Sequence, residues 1–229
     1  MSSLLTVEHR PLLAHHPIGA STGFMVNDRG DWPALVANAA RLSPFAAELS
    51  ALAEPEMDGL AAYLETNPSL PFRYLSIHGP SKERTMSEAD LARALTPIAR
   101  RADAAVMHPD TMRDPTAYEA LGRKLVLENM DAGKADGCCV EHLERWFAAL
   151  PEAGFCFDIA HAKSIDPEMG LGSELLDAFA SRLRHVHVSS LSDKLHHVPL
   201  TQEDETLFMP LLERCLDLPW ILEAPPRAS

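Results

Sequence analysis

Gly154-Phe155-Cys156-Phe157-Asp158-Ile159-Ala160-His161 is the stretch on which the fold turns. In a strand, side chains alternate between faces, so Phe155 and Phe157 share one side while Cys156 and Asp158 share the other. Two large aromatics on one face ask for a helical layer to bury them. The other face closes on an acid, with an imidazole three residues later. Lys124–Glu128 repeats the scheme: Leu125 and Leu127 point outward, Val126 and Glu128 inward.

Working outward, the same kind of short apolar run recurs at Ile18–Phe24, Phe45–Ala51, Phe72–His78, Ala104–His108, Leu183–Val188 and Trp220–Glu223. Helical periodicity lies between them at Trp32–Leu42, Ser87–Arg100, Val140–Leu150, Leu175–Arg182 and Leu207–Leu216. Eight strands alternating with helices predict a parallel sheet, because a parallel crossover takes about a dozen residues and usually a helix. Eight is also the number that closes a (β/α)8 TIM barrel. The 229 residues allow roughly 29 per unit, a compact version of a fold that typically takes ~250. An open doubly wound sheet would want a glycine-rich first turn, and Ile18 to Gly23 contains no GxGxxG. The expectation is a single barrel domain over residues 1–229.

The strand ends carry the chemistry. His78, His108, Glu128, Asp158 with His161, His187 and Glu223 close successive strands, and in a parallel barrel those ends converge on one face. Taken alone, a strand-end histidine is more often a hydrogen-bonded core residue. Taken together, several carboxylates and imidazoles without matching lysines and arginines would cost many kcal/mol to bury unless a cation neutralised them. One or more divalent ions with mixed nitrogen and oxygen ligands answer that demand.

Composition narrows the partners. There are 20 Lys plus Arg against 33 Asp plus Glu, a formal charge of −13, which repels phosphate backbones and anionic lipid. Four cysteines, at 138, 139, 156 and 215, form no CxxC pair and point to a reducing compartment. Met1 to Pro17 does not read as a signal peptide, since Glu8, His9 and Arg10 break any apolar run. A cytoplasmic location is expected. The partner is expected to be a small-molecule substrate rather than nucleic acid or membrane, with self-association into a homo-oligomer left open.

Leu-Glu-Asn-Met at 127–130, Phe-Asp-Ile-Ala-His-Ala at 157–162, Val-His-Val-Ser at 186–189 and Ile-Leu-Glu at 221–223 resemble the xylose-isomerase-like TIM barrels, a superfamily that includes endonuclease IV. The resemblance runs from Ile18 to Pro225. It implies a metal shared by Glu128, Asp158, His187 and Glu223, with Glu128 and Glu223 as the catalytic pair of an isomerase or epimerase. The endonuclease branch implies further metals through residues that look like His78, His108, His161 and His197. Leu195 stands where that branch carries an aspartate, and Ser190 replaces the acid that commonly follows the strand-seven histidine by three.

The expected function, with two alternatives beside it, is an isomerase, epimerase or related lyase acting on a sugar, polyol or hydroxy-carbonyl compound, with one ion (Zn, Mn, Mg or Co) as Lewis acid. One alternative is a phosphoester hydrolase with two or three ions. The other is a barrel that only binds a ligand. Lys134, Lys163 and Glu48 are candidates for touching substrate, each with an ordinary surface or structural role as the alternative. His185 reads as support or plain core filling one layer beneath His187, and His197 is favoured over its neighbour His196 for the inward position.

Overall fold

The computed structural model describes residues 18–82 and 84–226; His9, His15 and His16 lie outside them. Eight parallel strands close into a barrel: β1 Ile18–Ser21, β2 Ala46–Ser50, β3 Tyr74–His78, β4 Ala104–Met107, β5 Leu125–Glu128, β6 Gly154–Asp158, β7 Leu183–Val188 and β8 Trp220–Leu222. Closure is made by β1, which pairs with β2 through Gly19↔Ala46 and with β8 through Ile18↔Trp220. Seven α-helices wrap the outside among the described residues: α1 Trp32–Leu42, α2 Glu54–Glu65, α3 Glu88–Ala99, α4 Val140–Ala149, α5 Ile159–Ile165, α6 Gly170–Phe179 and α7 Gln202–Leu212. None of the helices is long and apolar enough to cross a membrane.

The alternation of side chains divides the apolar residues into two bodies. Leu49, Ile77, Leu127, Phe155, Phe157 and Leu222 face outward and bury themselves against Leu35, Leu60, Leu91, Leu143 and Leu175 of the helices. Each such side chain contributes ~1.5–3 kcal/mol on burial, so this layer holds the fold. The lumen holds a much smaller cluster of Ala104, Val106, Val126 and Cys156, with Tyr74 packed on it. Small residues there leave room for buried polar side chains on the neighbouring strands, among them Glu48, Ser76, His185 and His187.

Some elements differ from expectation, for local reasons. β1 stops at Ser21, whose Oγ accepts the backbone N–H of Gly23 at 3.1 Å and starts a 3-10 turn. β4 stops at Met107, because His108 precedes Pro109 and is the N-cap of Pro109–Thr111. The connection from β4 to β5 runs through 3-10 turns, the longer at Pro115–Lys124, rather than through an α-helix. The expected helices omit α2 and α5; α2 buries Met57, Leu60 and Leu64 on one face and begins where the Glu56 carboxylate accepts the Ala53 N–H at 3.1 Å, with Pro55 in its first turn. α7 starts five residues earlier than its apolar pattern, because Thr201 caps it by accepting the Asp204 N–H at 3.1 Å and Glu203, Asp204 and Glu205 suit the positive end of the helix. α6 likewise begins before its first large apolar residue, at Gly170.

Candidate metal centre

Strand register sets the ligands in place before any side chain is considered. Asp158 of β6 lies level with His187 of β7, and His187 with Ile221 of β8, two residues before Glu223. Glu128 closes β5 beside Cys156. The result is a nest of buried groups at the C-terminal ends of the strands, with Glu128 at 1% exposure and Asp158 and His187 at 0%.

Glu128 is the hub. Its Oε2 lies 3.4 Å from His78 Nε2 and 3.3 Å from His108 Nε2, and its Oε1 lies 3.3 Å from His161 Nδ1 and 3.5 Å from His187 Nδ1. Glu223 reaches in from the other side, with Oε1 3.3 Å from His187 Nδ1 and Oε2 3.3 Å from His197 Nδ1. Besides the fully buried Cys156 with His185 and His187, three sets of side chains among the described residues each bring their ligand atoms within 4.8 Å of one another: His78 with His108 and Glu128; Glu128 with Asp158, His187 and Glu223; and Asp158 with His161 and His197. Glu128 belongs to the first two sets and Asp158 to the last two.

The local chain aims several of these groups. His78 Nδ1 donates to the Gly79 carbonyl at 2.8 Å, which leaves Nε2 for the cavity. A side chain at Gly79 would press into the Met107 sulfur. His161 Nδ1 lies 2.9 Å from the Asn129 carbonyl, and His161 N–H donates to Asp158 Oδ1 at 2.6 Å, making Asp158 at once a strand end and a helix cap. Asn129 clamps the two strand ends: it donates to the Asp158 carbonyl and accepts the Asp158 N–H, both at 2.8 Å. Its adjacency to Glu128 was the only signal of this role in the sequence. Asp131 is another residue that strand-end reasoning passes over. It is buried, with its carboxylate 4.0 Å from His161 Nε2.

The nest fits a cation. Glu128 Oε2, Asp158 Oδ2, His187 Nδ1 and Glu223 Oε2 are buried and make no hydrogen bond, although buried polar atoms are ordinarily satisfied. All four are oxygen or nitrogen donors of the kind divalent ions take. In the metal-free protein, protons do the neutralising. Burial would lower His161, but Asp158, Glu128 and Glu223 outweigh it and hold the imidazole at about 10. Burial would raise Glu128, yet His187 and His108 hold it well below the usual carboxylate range. Glu223 goes the other way: burial, with Asp158 and Glu128 beside it, pushes its carboxyl well up against the pull of His187. Burial takes His197 down to about 4.

The remaining residues singled out in the sequence are placed as follows. His197 lies in the ligand nest, with Nδ1 2.7 Å from Ser189 Oγ; His196 lines the cavity but is exposed. His185 is fully buried beneath His187, paired with the Tyr74 hydroxyl at 2.8 Å. Lys134 borders the cavity, but it is held by Asp110 at 2.9 Å. Lys163 is bound to Asp204, which also accepts the Ser190 hydroxyl, and it does not border the cavity. Glu48 does not border it either. It is 0% exposed and lies under the nest, where burial would raise its carboxyl but His187, with His78 and His185, brings it to about 2. The cavity above the nest measures about 540 Å³ and is walled by Phe24, Val26, Leu52, Lys82 and Leu195 as well as the histidines.

Known structures share this architecture. Endonuclease IV from Thermus thermophilus is 21% identical with a TM-score of 0.56, covering 86% of this chain and 88% of that one. The 3-keto-D-glucoside 4-epimerase from E. coli is 13% identical with a TM-score of 0.57, covering 93% and 94%. At such identities the likeness is one of fold. No curated protein sequence matches the chain. The family of xylose isomerase-like TIM barrels matches residues 60–228, well over half of the sequence, and it is to this family that the chain belongs.

Proposed function

We propose that this protein hydrolyses a small phosphoester with two or three divalent ions. The observation that carries the reading is the sharing of carboxylates: Glu128 joins the His78–His108 pair to the four-residue set, and Asp158 joins that set to His161 and His197. Shared carboxylates are what hold ions side by side, and ions about 3.5–4 Å apart suit in-line displacement at phosphorus. When bound, such ions polarise the phosphoryl oxygens and lower the pKa of a water molecule. The chain's own part is to hold and orient. Asn129 fixes Asp158, Gly79 fixes His78, and Phe24, Leu52 and Leu195 give the cavity an apolar wall.

A small substrate is favoured over nucleic acid. Besides the charge of −13, the cavity is lined by two lysines, Lys82 and Lys134, and Lys134 is engaged by Asp110. A duplex-binding enzyme offers several free cationic phosphate contacts. A cavity of about 540 Å³ is within the range that small ligands fill.

One observation favours a sugar isomerase or epimerase instead. Glu128 and Glu223 both approach His187 Nδ1, at 3.5 and 3.3 Å, so the four-residue set is complete without the other histidines. A pair of carboxylates beside one ion is what proton exchange next to a carbonyl needs. Metal content and turnover separate the two. Protein purified without chelator should carry two or more ions per chain and cleave bis(p-nitrophenyl) phosphate or p-nitrophenyl phosphate. His78→Ala should lose one ion and most of that activity. One ion per chain, no phosphoester cleavage, and deuterium exchange into a ketose in D2O would replace this reading with the isomerase.

A further inference from the structure

Glu48 is on β2, across the barrel lumen from His187 on β7. Ala47, Leu49 and Ala51 turn outward into the helix-facing core, so Ala46, Glu48 and Ser50 turn inward. A carboxylate with no exposure is costly to bury unless something holds it. Here Glu48 Oε2 accepts the Ser76 hydroxyl at 2.9 Å and lies 3.1 Å from His187 Nε2.

His187 therefore has a different environment at each ring nitrogen. Nδ1 faces the Glu128 and Glu223 carboxylates at 3.5 and 3.3 Å and makes no hydrogen bond. Nε2 faces Glu48. A ligating imidazole is neutral, with its one proton on the nitrogen away from the ion, and an acceptor at that nitrogen fixes both tautomer and ring orientation. We infer that Glu48 is a positioning residue: it holds the proton of His187 on Nε2, so that Nδ1 presents its lone pair to a divalent ion. Ser76 fixes the carboxylate that does this. Glu48 thereby acts on the centre from below, out of reach of any substrate in the cavity.

The inference rests on the nest being a metal site and not on the reaction it performs. The test compares Zn²⁺ affinity in wild type, Glu48→Gln and Glu48→Ala by competition with a chromophoric chelator, beside thermal unfolding of the metal-free proteins. Glu48→Gln keeps the shape and removes the charge. It should bind the tightest Zn²⁺ about 10–100-fold more weakly, with metal-free unfolding within a few degrees of wild type, and Glu48→Ala should be weaker still. Affinity within twofold of wild type in a folded Glu48→Gln overturns the inference. A second measurement needs no variant: ¹⁵N spectra of wild type loaded with ¹¹³Cd²⁺ should show the metal coupled to Nδ1 of His187 and a proton on Nε2. Coupling to Nε2 overturns the inference even if the variants fail to fold. A wild type that takes up neither ion would remove the metal reading itself.

Discussion

Two buried glutamates show how the same side chain can be either finished or waiting. Glu54, at the start of α2, is 3% exposed and saturated: it accepts Arg84 Nε at 3.1 Å, the Thr85 N–H at 2.8 Å, the Thr85 hydroxyl at 2.6 Å and the Met86 N–H at 2.9 Å. It ties the loop after β3 to the helix after β2. Glu128 is 1% exposed and surrounded by four imidazole nitrogens at 3.3–3.5 Å, yet its Oε2 receives no hydrogen bond. The first carboxylate is satisfied by groups of its own chain and needs nothing more. The second is arranged toward a common point it shares with other donors, which is how a chain prepares for a cation.

The largest expected effect breaks the waiting side of this comparison. Glu128→Gln should lower kcat/KM by at least ~10³-fold, about 4 kcal/mol of transition-state stabilisation, and reduce bound metal while metal-free unfolding stays within a few degrees. Activity near wild type would mean that the hub lies elsewhere. On the finished side, Glu54→Ala should cost about 2–4 kcal/mol in urea unfolding, because Arg84 and two backbone N–H groups lose their acceptor. Its metal content should not change; a joint loss of metal and stability would erase the distinction.

The pH dependence sharpens the same contrast. Burial would raise Glu54, but the Thr85 and Met86 donors and Arg84 lower it overall. Its folded pKa thus lies below its unfolded value of about 4.3, so its stability contribution is present above that pH and is lost as pH falls through the folded pKa. Urea unfolding of wild type and Glu54→Gln should differ at pH 7 and converge toward pH 3. A gap that persists at pH 3 would assign the effect to shape instead of charge. The smallest effect concerns Lys163. Held by Asp204 outside the cavity, it should on change to Met cost no more than about 1 kcal/mol and leave kcat and KM within about twofold. A collapse of KM would return Lys163 to the substrate.

Much of this could be read from residues. The alternation at Gly154–Asp158 and Leu125–Glu128 assigned inward and outward faces, because the period of two is a local property of extended backbone. Strand ends followed, and with them the residues Glu128, Asp158, His187 and Glu223. The starts of α2 and α7 were harder to read, since a Glu56 reaching back to Ala53 or a capping Thr201 sets a helix end ahead of its apolar residues, Met57, Leu60 and Leu64 in α2 and Phe208, Leu211 and Leu212 in α7. The xylose isomerase-like character was carried by short motifs in the same strand ends.

What the sequence by itself determined is the barrel and the identity of the side chains at the C-terminal ends of its strands, because both follow from local alternation and from strand order. What only the tertiary structure decided is which of those side chains meet. Glu48 and His187 are 139 residues apart and join across the lumen. Lys134 and Lys163, both open to a substrate role in the sequence, are bound by Asp110 and Asp204. Such contacts depend on how the closed sheet is staggered and on which rotamer each neighbour leaves free. Neither is encoded within a few residues of the group concerned.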